Sequence, residues 1–207
     1  MTPWLDALIR QYDPSLPLEE ASTIPAAWYT DVRIAELERR TVFARNWQFA
    51  GRLDQLRNPG DYVTCEIAGE PILLVRGDDH VLRGFFNVCR HHAAAVMTEA
   101  QGCAKNLRCP YHGWTYTLEG ALKGTPSFVN ECHFDRATHG LVPVDTAVWE
   151  NWVFVRLDRG GPSLEAFLGE QVIAEVKALR LDRLHWFARQ HYTFECNWKV
   201  FVDNYLD

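Results

Sequence analysis

Val88-Cys89-Arg90-His91-His92 and, further along the chain, Cys109-Pro110-Tyr111-His112-Gly113-Trp114 decide how this sequence is read. Each run sets one thiol close to one imidazole, as Cys-x-His in the first and Cys-x-x-His in the second. Spacings that short put each pair on one tight loop. The long gap between the runs lets loops from separate hairpins close on one site from opposite sides. Thiolates are soft, charged donors that stabilise ferric iron, whereas imidazoles bind while neutral and change protonation near neutral pH. Two cysteines and two histidines also suit a closed tetrahedral zinc site. Zinc spacing, however, ordinarily pairs Cys with Cys and His with His, and both runs here are mixed. The mixed runs favour an iron–sulfur site, with a structural zinc module as the rival.

Cys-Pro-Tyr-His-Gly-Trp, paired with Cys-Arg-His, resembles the Rieske motif, in which two cysteines hold one iron of a [2Fe–2S] cluster and two histidines the other. The resemblance implies Cys89, His91, Cys109 and His112 as the cluster ligands. His92 stands where oxygenases of this type usually carry arginine, and is assigned to the surroundings of the cluster rather than to its ligands. High-potential Rieske proteins carry an extra cysteine in each loop and a serine after the second His-Gly. Here those places hold Ala94 or its neighbours, Tyr111 and Trp114. Fewer hydrogen bonds to the sulfurs imply a lower potential, as in the oxygenase or ferredoxin type. Tyr111 and Trp114 are expected to wall off the cluster from water.

The flanks separate oxygenase from ferredoxin. A Rieske ferredoxin needs on the order of 100 residues, and this chain has 207. Ile24-Pro25-Ala26-Ala27-Trp28-Tyr29-Thr30-Asp31, Arg45-Asn46-Trp47-Gln48-Phe49-Ala50-Gly51 and Gly60-Asp61-Tyr62 resemble the entry to the Rieske domain of large oxygenase subunits. Cys196-Asn197-Trp198-Lys199-Val200-Phe201-Val202-Asp203-Asn204-Tyr205-Leu206-Asp207 resembles the segment that opens their catalytic domain. From about residue 17 to 207 the chain is similar to the α subunit of Rieske non-haem iron oxygenases, with choline-monooxygenase-like members nearest.

That resemblance implies an electron path from a reductase or ferredoxin, through the [2Fe–2S] cluster, to a mononuclear Fe(II). The iron would activate O2 to hydroxylate an aromatic or quaternary-ammonium substrate, with His91 and His112 as exit and entry points for electrons. The family's two histidines and later aspartate for that iron fall beyond Asp207, so the 207 residues are expected to carry electrons without hydroxylating. Asp207 resembles the carboxylate that bridges a Rieske histidine of one subunit to the iron site of the next, and on a helix it shares a face with Asp203 and Asn204. A homotrimer is the state the family implies. The competing reading is a stand-alone Rieske electron-transfer protein without oxygenase activity.

Bulk properties agree with a globular cytoplasmic protein. Apolar residues make up 47% and the net charge is −6, which argues against nucleic acid. No run of about 20 apolar residues suggests a membrane span, and the N-terminus lacks a secretory signal. Cys65, Cys103, Cys132 and Cys196 read as reduced thiols outside the motif. Residues 1–23, with three prolines, read as an arm. Asp31 to about Trp47 reads as a helix, and Tyr62–Ile67, Ile72–Arg76 and Val81–Phe86 as strands with turns at Gly69 and Gly77-Asp78-Asp79. Trp114–Leu118 and Trp149–Leu157 read as further strands. Ser163 opens an amphipathic helix with Leu164, Leu168, Val172, Val176 and Leu179 on a packing stripe. Trp186–Cys196 reads as a strand, and Asn197 as the cap of a final helix. The expected fold is mainly β with flanking helices (α+β), an antiparallel Rieske domain followed by the first strand and helix of a helix-grip catalytic domain. The expected divisions are 1–45 (N-terminal arm and helix), 46–160 (Rieske domain) and 161–207 (linker helix and start of the catalytic domain).

Overall fold

The computed structural model describes residues 2–126 and 134–206. It forms two compact units, one made of Met1–Thr41 with Arg189–Asp207, the other of Val42–Ala188. The helices are α1 (Pro3–Ile9), α2 (Ala26–Thr30), α3 (Val32–Glu38), α4 (Leu164–Lys177) and α5 (Trp198–Leu206). Among the described residues no helix is long and apolar enough to cross a membrane.

The first unit is helical. Pro3 starts α1, where its fixed φ suits the first helical position, and Leu5 and Leu8 pack against Ile34 of α3. The supposed arm therefore contains a packed helix. Asp31 caps α3 by accepting the Arg33 N–H. The α-helix ends at Glu38, short of the expected Trp47, because one turn of π-helix follows over Arg39–Phe43. Asn197 caps α5 by accepting the Lys199 N–H at 3.1 Å. Polar contacts hold α5 to α2 and α3. The Lys199 ammonium meets the Glu38 carboxylate at 2.6 Å, Trp198 Nε1–H donates to Glu38 at 2.9 Å, and the Tyr29 hydroxyl donates to Asp203 at 2.9 Å.

The second unit is antiparallel β. Its strands are β1 (Gln48–Arg52), β2 (Asp61–Ile67), β3 (Glu70–Arg76), β4 (Leu82–Phe86), β5 (Gln101–Cys103), β6 (Leu107–Arg108), β7 (Thr115–Tyr116), β8 (Leu122–Gly124), β9 (Pro143–Trp149) and β10 (Trp152–Arg156). A seven-stranded sheet runs β1-β10-β9-β4-β3-β2-β5, and a smaller one β6-β7-β8. β3 lies deep in the large sheet, and Ile72, Leu73, Leu74 and Val75 are all 0% exposed. Alternation along the strand splits them. Leu73 and Val75 face the small sheet with Leu107, Tyr116 and the two motif cysteines, while Ile72 and Leu74 join Ala50, Val153 and Val155 behind. The front face of β3 is thus the floor under the motif.

Three elements differ from their expected form. Trp149–Leu157 is a hairpin rather than one strand. Trp149 ends β9, Glu150 turns the chain at φ 53°, and β10 returns with Trp152 opposite Trp149. The stripe on α4 is buried only at its start. Leu164 and Leu168 pack with Trp47 and Phe154, but Gly169 adopts φ 77°, which a residue without Cβ tolerates, and the helix is broken there. Val172 and Leu179 beyond it are exposed. Trp186–Cys196 forms no strand, since its backbone pairs with no other strand among the described residues. The segment before it is strapped to the sheet instead. Asn151 donates to the Leu181, Asp182 and Leu184 carbonyls, and the Trp186 N–H reaches the Asp54 carboxylate.

Candidate metal centre

Both motif loops leave short β elements and have the same backbone plan. In the first, which follows β4, the Cys89 N–H donates to the Ala94 carbonyl at 2.8 Å and the Ala93 N–H to the Cys89 carbonyl at 3.0 Å. In the second, joining β6 to β7, the Cys109 N–H donates to the Trp114 carbonyl at 2.9 Å and the Gly113 N–H to the Cys109 carbonyl at 3.0 Å. Each loop closes through a left-handed residue four places after its cysteine, Ala93 at φ 59° and Gly113 at φ 74°.

This plan turns the thiols inward and the imidazoles outward. Cys89 and Cys109 are each 2% exposed, and both are free thiols. Burial pushes the Cys109 thiol above its ordinary pKa, opposed by the Tyr111 and His112 backbone N–H groups, with Cys89 adding to the rise. His91 is half-buried and His112 exposed, their ring centroids 4.8 Å apart. His91 lies below its ordinary pKa through burial first, then through His92 and His112. The nitrogens of His91, His92 and His112 all lie within 4.8 Å of one another. Two buried thiols behind two outward imidazoles are a mixed soft and borderline donor set that fits a [2Fe–2S] cluster.

The structure distinguishes the two neighbouring histidines by their surroundings. The His91 ring stacks on Trp114 at 4.7 Å with 7° between planes, and Trp114 is buried. His92 is exposed, and its ring lies 5.3 Å from that of His112. Trp114 shields the site as expected. Tyr111 does not, being 64% exposed and lying over His112 from outside at 3.8 Å. An open groove lined by His91, Arg108, Tyr111, His112 and Trp114 exposes the imidazole side to solvent.

Two residues around the site carry no motif signal. Asn87 grips the far side of the first loop. Its Oδ1 accepts the Val96 and Met97 N–H groups at 3.1 and 2.9 Å, and its Nδ2 donates to the Met97 carbonyl at 2.7 Å. A lone amide at the end of an apolar strand was the available clue. Tyr116 on β7 crosses to the first loop, where its hydroxyl lies 3.3 Å from Cys89 Sγ. Cys103 lies on β5, exposed. Asp207 and Cys132 lie outside the described residues.

Comparison with known proteins agrees with this geometry. Residues 46–147 match the Rieske [2Fe-2S] domain. The chain is 41% identical to the carnitine monooxygenase oxygenase subunit of Escherichia coli (strain K12), over 91% of this chain and 51% of that protein. It is 35% identical to the chloroplastic choline monooxygenase of Spinacia oleracea, over 98% of this chain and 47% of that one. Among solved structures, the quaternary ammonium Rieske monooxygenase CntA with L-carnitine superposes with TM-score 0.84 at 32% identity, over 90% of this chain and 53% of that one. The chain spans about half the length of the curated relatives it matches.

Proposed function

The chain belongs to the α subunits of Rieske non-haem iron oxygenases, and from that membership we propose that it is the electron-carrying part of a monooxygenase acting on a small quaternary ammonium compound. The observation that carries the substrate class is the 41% identity to a carnitine monooxygenase oxygenase subunit, over 91% of the chain. A stand-alone electron carrier is not favoured, because likeness to monooxygenases extends well past the Rieske domain at residues 46–147.

In this reading Cys89, His91, Cys109 and His112 hold the cluster, which when bound supplies one-electron storage. The buried cysteines keep the sulfur side dry, and Trp114 fixes the His91 ring plane. His91 and His112 present nitrogen at the open groove, the side from which a reductase or ferredoxin delivers electrons and from which they leave. Asp207 is the bridging carboxylate toward a mononuclear Fe(II) site of a neighbouring subunit in a homotrimer, and O2 is the co-substrate. Cys103 and Cys196, outside the motif and free among the described residues, support a reducing compartment such as the cytoplasm.

The test is oxygen uptake by an oxygenase containing this chain, supplied with a reductase and with carnitine, choline, naphthalene or benzoate in turn. Uptake coupled to loss of carnitine or choline supports the proposal. Turnover of the aromatic compounds alone refutes the substrate class, and cluster reduction with no turnover of any compound refutes the oxygenase role.

A further inference from the structure

With His91 and His112 as the proposed cluster ligands, His92 is a third imidazole at the same spot without a role. Its ring centroid lies 3.8 Å from that of His91 and 5.3 Å from that of His112. One nitrogen from each of the three rings lies within 4.8 Å of the others. On a tetrahedral ion with metal–nitrogen bonds of about 2.0–2.1 Å, two nitrogens stand roughly 3.4 Å apart. The χ2 torsion of histidine is broad, so small turns of the exposed His92 and His112 rings cover the difference. The other constraints are already met. His91 is stacked on Trp114 at 4.7 Å, and Tyr111 lies over His112 at 3.8 Å. Cys89 and Cys109 are each 2% exposed, so an ion arriving from solvent meets the imidazoles before the thiols.

We propose that the cluster-free chain binds one divalent ion of the zinc class through His91, His92 and His112, and that this ion and the [2Fe–2S] cluster exclude each other. Three imidazoles with a fourth position left to water match the open zinc sites, which use three protein ligands, rather than the closed structural ones. The same donors suit Co2+, Ni2+ and Cu2+. The ion and the cluster draw on two rings in common, and a nitrogen that bonds one metal is not available to the other. Zinc in excess is then an inhibitor of cluster assembly, and His92 is the residue that makes the chain sensitive to it. The exclusion rests on His91 and His112 being cluster ligands. The ion site rests on the geometry of the three rings alone.

The test is calorimetric titration of Zn2+ into the anaerobic, cluster-free 207-residue chain and its His92→Ala variant, with a visible spectrum after Co2+ is added instead. His92 is exposed, so alanine there removes a ligand and leaves the core intact. The expected result is one ion per wild-type chain and roughly a hundredfold weaker binding in His92→Ala, because even the outer partners of a metal ligand are worth 10–100-fold. The cobalt spectrum should lack a thiolate-to-cobalt charge-transfer band. No binding by the wild type, undiminished affinity in His92→Ala, or a cobalt–sulfur band overturns the proposal, the band by placing the ion on the motif cysteines. Cluster reconstitution with Zn2+ present should be slowed in the wild type and less so in His92→Ala, and equal inhibition of the two overturns the exclusion. A cluster that assembles on the wild type beside bound zinc refutes the exclusion together with the ligand assignment of His91 and His112, while zinc affinity that depends on His92 still supports the ion site.

Discussion

Replacing Asn87 with alanine tests whether the first ligand loop is held by the amide grip described above. Asn87 is 3% exposed and Val96, one of its partners, 1%. The substitution removes the bonds to Val96 N–H, Met97 N–H and Met97 carbonyl, while its own backbone bond to the Pro71 carbonyl stays. A buried hydrogen bond contributes roughly 1 kcal/mol net, and each partner stranded without water costs at least as much. The loss is therefore about 3 kcal/mol, a large part of the 5–15 kcal/mol that holds a typical domain folded. Urea unfolding followed by tryptophan fluorescence measures it on the cluster-free protein. Iron release to a chelator measures it on the loaded protein, where the looser loop gives up iron faster. Asn87→Asp keeps an acceptor for both N–H groups but loses the donor to Met97, so its loss falls between wild type and alanine. A change below about 1 kcal/mol for alanine, with iron release unaltered, would show that the loop does not depend on this grip.

Other outcomes follow from the same geometry. His91→Ala loses the cluster and its visible absorption while His92→Ala keeps both; iron loss in His92→Ala would transfer the ligand role. The loaded 207-residue chain binds two irons and two acid-labile sulfides per monomer, and finding zinc without sulfide would replace the cluster with a structural metal. Asp31 titrates near 2, below its ordinary 3.8, because Arg33 bonds its carboxylate through side chain and backbone. The charged form is the stabilising one, so the cap of α3 is intact above the ordinary value and is lost as pH falls through about 2. An NMR titration midpoint near 4 would refute that bonding. Gly120→Ala destabilises by about 2 to 4 kcal/mol in urea unfolding, since Gly120 sits at φ 88° and a Cβ there would lie 2.5 Å from the buried Phe85 ring.

Local patterns made part of this molecule legible and long-range ones did not. β2, β3 and β4 could be placed to within a residue or two because apolar runs end at turns such as Ala68-Gly69, both left-handed. The four proposed donors could be picked out because they are bunched by sequence. The β9–β10 hairpin was hidden because its turn, Glu150-Asn151, carries neither glycine nor proline and tryptophans flank it on both sides. α1 was hidden by the prolines of the first 23 residues, although Pro3 was itself a helix-start signal. The contacts of α5 with Tyr29 and Glu38 join positions more than 150 residues apart, and nothing in either segment names the other. Tyr116 was overlooked for a similar reason. Its partner Cys89 is 27 residues away, and a tyrosine in a strand ordinarily signals only packing.

With His91 as the proposed ligand the two half-sites are unequally spaced, and the structure offers a cause. With the same hydrogen bonds closing both loops, backbone position alone pairs His92 with His112, each three residues after its cysteine. Were backbone position decisive, both half-sites would read Cys-x-x-His. What separates His91 from His92 is its environment. Trp114 comes from the opposite loop and stacks flat on the His91 ring, so the second loop orients the histidine proposed as the ligand of the first. His92, left exposed, has no such support. The assignment of His91 thus depends on both loops closing together, the arrangement that Tyr116 spans from the other side through Cys89. Trp114→Leu, which removes the stack but keeps an apolar cover, should then weaken the preference for His91. The sign would be a cluster whose EPR signal broadens in Trp114→Leu and sharpens again when His92→Ala is added. A signal identical to wild type in Trp114→Leu would mean that the loop backbone, without the stack, already selects His91.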